Sequence, residues 1–540
     1  MDLGVATHFA QGWEHDLIPA IEQVEAGHAR DAIYWSQVER VPGVYLFDRR
    51  STEYPARLIA DGTDMVMLFR ATHPDVENGH TVQSGPALSA FAEFVAATVA
   101  AYPEVDTVEI GNEFNGTFVV GPLEKEGPVV RAKAHARIVA AVAERLRQTA
   151  PEVTILGGAA HSIPLVYLEA LGEAGLMDDI DGLVVHPYTS PPEHVGEHLR
   201  IALQALGRPD LAIHATEFGQ ERTTPRAAAD YLVRMATAMA AAGVDSATWY
   251  ALIEQRKYPG MGLLNADGTE RPAGAAFRLM QRLLALGTPK RIDLGPGLRA
   301  YDFAGRGLVV WGLERTVTAP AGLDWTDATG APQAAPTLSP EAPLIAFSPT
   351  PIRFEDMVSA EDRGIIDDSY YGFTLAPGTP WRRMAQALSG KTVELTMQGG
   401  GRRGTAWRPY LGDRWLNPLS VSERVVIPAV FPKETGPVVY EVVEEIDLVA
   451  TGTETLCAAF RHDGDRGDGV DLTLSLDGVE IEQAGLQPGE TLSWRVTTGE
   501  AQRATLTVSP REGAGGDRIF RHHVLLDGGG HPCPAPMMPD

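Results

Sequence analysis

Thr-Val-Glu-Ile-Gly-Asn-Glu-Phe-Asn-Gly occupies residues 107–116 of the chain. Its β-branched first half predicts a short buried strand, which ends at a glycine followed by polar and acidic side chains. A segment of the same design at residues 211–219 runs from Leu-Ala-Ile-His-Ala-Thr into a second glutamate. About one Asn-Glu pair arises by chance in a chain of this length. Two such strands, however, predict that Glu113 and Glu217 face each other across a pocket.

Up to about residue 290, short apolar strands alternate with alanine-rich amphipathic helices. Eight strand–helix pairs in this length predict a (β/α)8 barrel. An open doubly wound sheet is the alternative, but it normally carries a glycine-rich phosphate loop, and Gly157 and Gly158 lack the rest of that fingerprint. The predicted strands are Leu3–Phe9, His28–Tyr34, Met65–Phe69, Thr107–Ile110, Val153–Leu156, Gly182–Val185, Leu211–Thr216 and Ser246–Trp249. The predicted helices are Leu17–Glu25, Glu53–Ala60, Leu88–Ala101, Val130–Thr149, Leu165–Ala174, Val195–Leu206, Arg226–Ala242 and Gly274–Leu286.

Beyond residue 290 the helical period disappears and strand alternation replaces it. A small β-domain is predicted for residues 291–350, and a β-sandwich or jelly roll for residues 351–540. With the barrel at 1–290, this gives the two or three domains expected of 540 residues. The strands predicted in these two parts are Leu298–Phe303, Gly307–Trp311, Pro343–Phe347, Thr392–Met397, Val438–Val449, Val470–Leu476 and Arg503–Val508.

The composition excludes several classes of partner. A formal charge of -26 argues against nucleic acid or an anionic membrane, because either polyanion would be repelled. No run of about eighteen apolar residues occurs, so no membrane span is predicted. Two cysteines, Cys457 and Cys533, are too few for a cysteine-rich metal site, and the sequence leaves open whether they form a disulfide.

Met1 is followed almost at once by a predicted strand, which leaves no place for a signal peptide. The chain is therefore expected to act in the cytoplasm, or in the periplasm or outside the cell if an export signal has been removed. The oligomeric state is not readable from the sequence.

Polar and aromatic side chains stand at the ends of nearly all the predicted barrel strands. Ligands bind at this C-terminal face in essentially every characterised barrel enzyme. A single histidine here is more often a capping or core residue, but the recurrence at strand after strand predicts a ligand site. The residues are His8, Arg30, Trp35, Arg70, His73, Asn112, Glu113, Asn115, His161, His186, Tyr188, Glu217, Trp249 and Glu254.

Two glutamates in one pocket suit glycoside hydrolysis, in which a carboxylic acid protonates the departing oxygen and a carboxylate faces the anomeric carbon from the other side. Their surroundings must separate the two pKa values, so that one group is protonated while the other is ionised. Asn112 offers an amide to a sugar hydroxyl, and Trp35 and Trp249 offer flat faces to a sugar ring. Arg30 would keep a neighbouring glutamate ionised. This chemistry needs neither a metal nor a cofactor.

Over roughly residues 1–350 the chain resembles the clan A retaining glycoside hydrolases, and most nearly glycoside hydrolase family 39. As a combination the motifs are a strong signal, although each alone is weak. They are Gly-Asn-Glu-Phe-Asn at 111–115, Thr-Glu-Phe-Gly at 216–219, His-Pro-Tyr at 186–188, Arg-Asp-Ala-Ile-Tyr-Trp-Ser-Gln-Val-Glu at 30–39, Trp249, and Gly-Leu-Leu-Asn-Ala-Asp-Gly at 262–268.

The resemblance implies Glu113 as acid/base and Glu217 as nucleophile, with retention through a covalent glycosyl-enzyme. It also implies that Asn112 contacts the sugar 2-hydroxyl. The residues that it places around the nucleophile are His186, Tyr188 and Arg30.

The sequence therefore predicts a retaining hydrolase that cleaves β-glycosidic bonds of an oligo- or polysaccharide, such as a bacterial exopolysaccharide. Its two carboxyl groups should lie about 5 to 5.5 Å apart. The predicted substrate-binding residues are His8, Arg30, Trp35, Asn112, Asn115, His186, Tyr188, Trp249 and Glu254.

Two alternatives stay open at this point. One is a carbohydrate-binding barrel without turnover, which the presence of both glutamates disfavours. The other is a metal-dependent hydrolase, which lacks close-spaced ligand pairs such as His-x-His. Its candidate ligands are His8, His73, His161 and His186.

The C-terminal part also carries aromatic and charged residues in predicted turns. They could bind sugar, but structural packing is the favoured role. These residues are Trp407, Tyr410, Trp415, Asp517 and Arg518.

Overall fold

A computed structural model describes residues 1–221, 224–320, 322–334, 336–376, 380–401, 404–431, 438–448, 453–464, 466–511 and 516–538. Within these ranges, no helix combines the length and the apolarity that crossing a bilayer requires.

The N-terminal part folds as predicted, with eight parallel strands closed into a barrel. Neighbours in the barrel are neighbours in the sequence, and the first strand pairs with the last, with Asp2 opposite Ser246 and Val5 opposite Trp249. The strands are β1 (Asp2–Ala6), β2 (His28–Ile33), β3 (Asp64–Phe69), β4 (Thr107–Ile110), β5 (Thr154–His161), β6 (Gly182–His186), β7 (Ala212–Phe218) and β8 (Ser246–Trp249).

A helix follows each barrel strand, and several of these helices start where the sequence signals indicate. Pro86 and Pro225 stand in the first turns of their helices, where a missing N–H breaks no intrahelical bond. The hydroxyls of Ser84 and Thr224 cap the same two helices. The helices are α1 (Pro19–Gln23), α2 (Arg50–Ala60), α3 (Gly85–Ala101), α4 (Pro128–Thr149), α5 (Leu165–Glu173), α6 (Val195–Leu206), α7 (Pro225–Ala241) and α8 (Pro272–Leu284).

Strand β5 is longer than predicted, because it continues to His161 instead of ending at Leu156. The pairing of β5 with β6 shifts register between Gly157 and Ala160, which is a bulge. Gly158 has φ +98°, and a Cβ at this position would lie 2.6 Å from the Leu183 side chain. The two glycines therefore permit a bend after which the strand resumes, and this carries His161 to the barrel mouth.

The loop after β2 holds a short helix, Trp35–Val38, and a hairpin of Glu39–Val41 with Val44–Tyr45. This helix takes up Trp35, which the sequence analysis had placed at a strand end.

A five-stranded antiparallel sheet follows the barrel. Phe354 and Val358, from the segment with the short helix Phe354–Met357, pack into the core of this sheet. A strand at Ser359–Ala360 pairs with Val317–Thr318. The division into domains at residues 290 and 350 stays a prediction. The strands of the sheet are Lys290–Ile292, Leu298–Phe303, Gly307–Gly312, Asp324–Thr326 and Leu344–Phe347.

The C-terminal part forms two further antiparallel sheets whose buried faces share one hydrophobic core, as predicted for a sandwich. The predicted end of one strand at Val449 lies outside the described residues. The first sheet contains Ile365–Asp368, Thr396–Gly401, Gly404–Gly412, Ser420–Val421, Val425–Ile427, Thr455–His462, Thr491–Thr497 and Ile519–Leu526. The second contains Trp381–Ala387, Thr392–Glu394, Ala429–Phe431, Val438–Asp447, Val470–Leu476, Val479–Leu486 and Arg503–Pro510.

A disulfide and a buried ion-pair group link segments of the sandwich. Cys457 and Cys533, whose pairing the sequence left open, form a disulfide that ties the C-terminal tail to the first sheet, with their Cα atoms 5.8 Å apart. The buried carboxylate of Glu444 forms an ion pair with Arg383 of its own sheet at 2.9 Å and one with Arg521 of the opposite sheet at 2.5 Å.

The buried carboxylate of Glu193, in the loop after β6, joins all three parts of the chain. It accepts hydrogen bonds from Arg234 of α7 at 2.9 Å, from the Trp311 indole of the five-stranded sheet at 2.7 Å and from the Tyr370 hydroxyl at 2.5 Å. Burial raises the pKa of Glu193, but Arg234 and Arg424 outweigh it, and the pKa is lowered to about 2. Glu193 is therefore ionised at neutral pH.

Glu193→Ala is expected to lower the free energy of unfolding by about 3 to 5 kcal/mol, because it removes the buried counter-charge of Arg234 and the hydrogen-bond acceptor of Trp311 and Tyr370. Thermal and urea unfolding, followed by tryptophan fluorescence, measure the change. Glu341→Ala is the matched control, since Glu341 also pairs with Arg234 but is 58% exposed. The control substitution should lower the free energy of unfolding by less than about 1 kcal/mol. Equal losses in the two variants would contradict the role of Glu193.

Candidate active site

Glu113 stands in a strained turn directly after β4. Its own φ is +41°, and Gly111 before it has φ +88°. A positive φ is unfavourable for glutamate and persists only where the surroundings hold it. Here the amide of Phe114 donates to the carbonyl of Ala159 at 2.7 Å, which ties the turn to β5. Backbone strain of this kind is found mainly at functional sites.

Glu217 lies near the end of β7 and is 12% exposed. Its Oε1 accepts a hydrogen bond from Arg30 at 2.7 Å, and its Oε2 accepts one from the Tyr188 hydroxyl at 2.9 Å. Together the two donors fix the orientation of the carboxylate.

Arg30 connects the two glutamate-bearing strands. It donates to both carboxylate oxygens of the buried Glu109 on β4, at 2.6 and 2.7 Å, and to Asn112 Oδ1 at 2.9 Å. Burial lowers the pKa of Arg30, but Glu109 and Glu217 raise it overall. Arg30 therefore carries a permanent positive charge beside Glu217.

Two histidines contact Glu113. Its Oε1 lies 2.9 Å from His161 Nδ1 and 3.1 Å from His186 Nδ1. His186 Nδ1 also lies 3.7 Å from Glu217 Oε2, and its Nε2 is 3.1 Å from the hydroxyl of Thr216. One oxygen of each glutamate and one nitrogen of His186 thus lie within 4.8 Å of one another.

These contacts determine the protonation states of Glu113 and His186. Burial raises the pKa of Glu113, but hydrogen bonds with His161 and His186 outweigh it and hold that pKa well below its usual range. Burial lowers the pKa of His186, but Glu217 and Glu113 raise it overall. The arrangement therefore favours an imidazolium at His186 between two carboxylates, with Glu113 ionised.

The two glutamates open into a cavity of about 520 Å³ at the C-terminal mouth of the barrel. Of the predicted binding residues, His8, Arg30, Asn112 and Tyr188 line it. Burial lowers the pKa of His8 to about 4, so this imidazole is neutral at neutral pH. His186 is fully buried behind the carboxylates and acts on them, not on the open cavity.

The two predicted tryptophan platforms are wrong, because both indoles are buried. Trp35 donates to the carboxylate of Glu39 and stacks on Phe94 with ring centroids 5.8 Å apart. Trp249 donates to the carbonyl of Met261 at 2.6 Å and is inaccessible to solvent. Neither indole presents a face to a sugar.

Asn115 and Glu254 also lie outside the cavity lining, which corrects their prediction as substrate contacts. The Asn115 amide is used within the protein, donating to the His161 carbonyl at 3.0 Å and accepting from its N–H at 2.8 Å. Glu254 accepts from the amides of Gly260 and Gly262 at 2.6 and 2.7 Å. These two side chains hold loops that border the site.

Several lining residues were missed by the sequence analysis, and Tyr250 shows which signal was available. Successive side chains of a strand point to opposite faces. Trp249 packs outward against Tyr231 of α7, so Tyr250 points inward to the cavity. Further lining side chains not predicted as binding residues include Thr7, Gln11, Asp31, Tyr34, Arg70, Phe118, His161, Gln220, Glu221, Gln255, Lys257 and Tyr258.

No protein-family model matches the chain, and no curated protein matches it. Among solved structures, the chain is similar to a family 39 glycoside hydrolase from the gut symbiont Bacteroides cellulosilyticus WH2. The identity is 18% over 64% of this chain and 81% of that chain, with a TM-score of 0.53. The resemblance to family 39 is thereby confirmed at the level of the fold.

Two further solved structures are similar at lower TM-scores. A GH39 β-xylosidase from Caulobacter crescentus is 16% identical over 65% of this chain and 96% of that chain, with a TM-score of 0.47. The catalytic domain of GH30 xylanase C from Talaromyces cellulolyticus is 12% identical over 65% and 97%, with a TM-score of 0.46.

The four histidines considered as metal ligands do not come together. His73 lies away from the cavity lining, with Nε2 2.8 Å from the carbonyl of Glu39. In the described part of the chain, the group close enough to share a cation is Glu113, His186 and Glu217. Arg30 beside Glu217 and a charged His186 oppose a divalent cation there, because like charges at this distance repel strongly.

We therefore expect that excess EDTA leaves the melting temperature unchanged and that added Zn²⁺ does not raise it. A cation bound to the folded protein alone would stabilise it by mass action. Differential scanning fluorimetry measures both effects, with Glu217→Gln as the comparison. A Zn²⁺-dependent rise that disappears in this variant would support a metal site instead.

Proposed function

We propose that the chain is a retaining glycoside hydrolase that cleaves β-glycosidic bonds of an oligo- or polysaccharide, with Glu217 as nucleophile and Glu113 as acid/base. The observation that carries the proposal is the facing pair of carboxylates at the barrel mouth, with oxygens within 4.8 Å of each other. Retaining enzymes have carboxyl groups about 5 to 5.5 Å apart, whereas inverting enzymes need about 6.5 to 9.5 Å to admit a water. The spacing favours retention.

Glu217 has the surroundings of a nucleophile. Arg30 and Tyr188 each bind one of its oxygens, so the orientation of the carboxylate is fixed. In the first step one oxygen attacks the anomeric carbon, and the bond from that carbon to the departing oxygen breaks. Asn112 is held by Arg30 at the cavity wall, where its amide N–H groups can donate to a sugar hydroxyl.

Glu113 supplies a proton to the departing oxygen. Because Glu113 is ionised in this arrangement, the proton comes from the neighbouring imidazolium of His186, 3.1 Å from its Oε1. Glu113 and His186 thus act as one titrating cluster. In the second step Glu113 takes a proton from water and returns it to His186, while the water oxygen displaces Glu217 from the sugar and restores the free carboxylate.

Glu217→Gln is expected to abolish the hydrolysis of 4-nitrophenyl β-glycosides, because an amide cannot replace the nucleophile. Release of 4-nitrophenol measures the rate, and circular dichroism checks the fold. Glu152→Gln is the matched control, since Glu152 is exposed before β5, at the opposite end of the barrel. Proton NMR should show the β-anomer as the first product of the wild-type protein.

Two outcomes would contradict this assignment. Full activity of the Glu217→Gln variant would remove Glu217 from the reaction, and a first-formed α-anomer would exclude double displacement. Binding of a glycan by the wild-type protein without any turnover would support the alternative of a non-catalytic carbohydrate-binding barrel.

His161→Ala is expected to move the alkaline limb of the activity–pH profile to higher pH. The hydrogen bond from His161 stabilises ionised Glu113 and lowers its pKa. Without this bond the deprotonated cluster is less stable, so the cluster keeps its acidic proton to higher pH. The pH dependence of kcat/KM, measured on a glycoside with a poor leaving group, tests this. A limb shifted to lower pH would contradict the proposed role.

A further inference from the structure

One hairpin of the C-terminal sandwich, Thr396–Gly401 with Gly404–Gly412, packs on the barrel at α5. The approach is close: a Cβ at Gly399 would lie 2.3 Å from the Cβ of Leu165. The C-terminal sheet is therefore in direct contact with the barrel next to the loops that follow β5 and β6.

Backbone hydrogen bonds fix Trp407 of this hairpin at the barrel mouth. Its carbonyl accepts from the amide of Ile163 at 2.7 Å, just after β5, and from the hydroxyl of Thr189 at 3.4 Å, after β6. The next residue, Arg408, donates to the Thr189 carbonyl at 3.0 Å and forms an ion pair with the buried Glu423. The position of Trp407 is thus set by both loops.

The indole of Trp407 is only partly used in packing. It meets the His161 ring edge-on, with ring centroids 5.0 Å apart and an angle of 80° between the planes. It nevertheless remains 43% exposed. A tryptophan held by its backbone and left open to solvent keeps apolar surface available for a ligand.

Trp407 is separated from the proposed general acid by one side chain, His161. Its neighbour His161 contacts Glu113 at 2.9 Å, and the general acid stands beside the departing oxygen. A sugar unit attached to that oxygen would leave the cavity past His161 and reach the open indole.

We propose that Trp407 is a substrate-binding residue, on which a sugar of the leaving-group side stacks, so that the C-terminal sandwich completes the site of the barrel. This inference rests on the proposed glycosidase function. It assigns as substrate a β-linked chain that extends from the cavity across the C-terminal sandwich. The apolar C–H face of a pyranose ring is the surface that matches an indole.

The test compares a short substrate with long ones. The probes are the β-glycosyl fluorides of glucose, xylose and mannose, together with cellopentaose, xylopentaose and mannopentaose. For the sugar that reacts, Trp407→Ala should lower kcat/KM on the pentasaccharide by about three- to tenfold, mainly through KM. Its kcat/KM on the glycosyl fluoride should stay within about twofold, because fluoride brings no ring to the indole.

Two further variants separate binding from folding. Trp407→Phe should recover most of the loss on the pentasaccharide, since a phenyl ring also stacks. Trp415→Ala, at a 57% exposed tryptophan of the same part of the chain, should leave both rates unchanged. Equal losses on the short and long substrates, or the same selective loss in Trp415→Ala, would overturn the inference. A wild-type protein that hydrolyses none of the probes would overturn the proposed function, and the inference with it.

Discussion

The buried guanidinium of Arg30 is the interaction on which the rest of the site depends. It forms ion pairs with Glu109 inside the barrel and with Glu217 at its mouth, at 2.6 and 2.7 Å. Without this cation two buried carboxylates would lose their shared counter-charge, which is strongly destabilising. The same guanidinium donates to Asn112 Oδ1 and orients this side chain, which forms part of the cavity wall.

The two glutamates differ in the side chains that bind them, because only Glu113 accepts hydrogen bonds from both histidines. Glu217 is bound by a permanent cation and a tyrosine hydroxyl, whereas Glu113 is bound by two imidazoles. The raised pKa of His186 connects Glu113 to a source of protons. The sequence predicted that the surroundings would set the two pKa values apart, with Arg30 beside one glutamate, but it did not reveal that His161 contacts Glu113.

Much of the barrel could be predicted because its signals are local. Alternating strand and helix periods gave all eight pairs, and the bounds of β4, β8 and α6 agree with the structure to the residue. The direction of a side chain at a strand end was harder to predict, because successive side chains of a strand point to opposite faces of the sheet. Trp249 was chosen over Tyr250 for that reason, and Trp35 was misplaced because a short helix begins there. The pairing of His161 with Glu113 required the bulge in β5, which periodicity does not show.

The hydrogen bonds of Glu193 connect the barrel to the two β-sheet parts that follow it in the chain. The loop that begins after His186 carries Tyr188, which binds the candidate nucleophile, and ends at Glu193, which is bound by Trp311 and Tyr370. A barrel excised from its two neighbours would lose both of these anchors. The loop that carries Tyr188 would then keep the contact of Glu193 with Arg234 of α7 but lose the other two. The five-stranded sheet and the C-terminal sandwich thus help to hold a side chain of the candidate site in place.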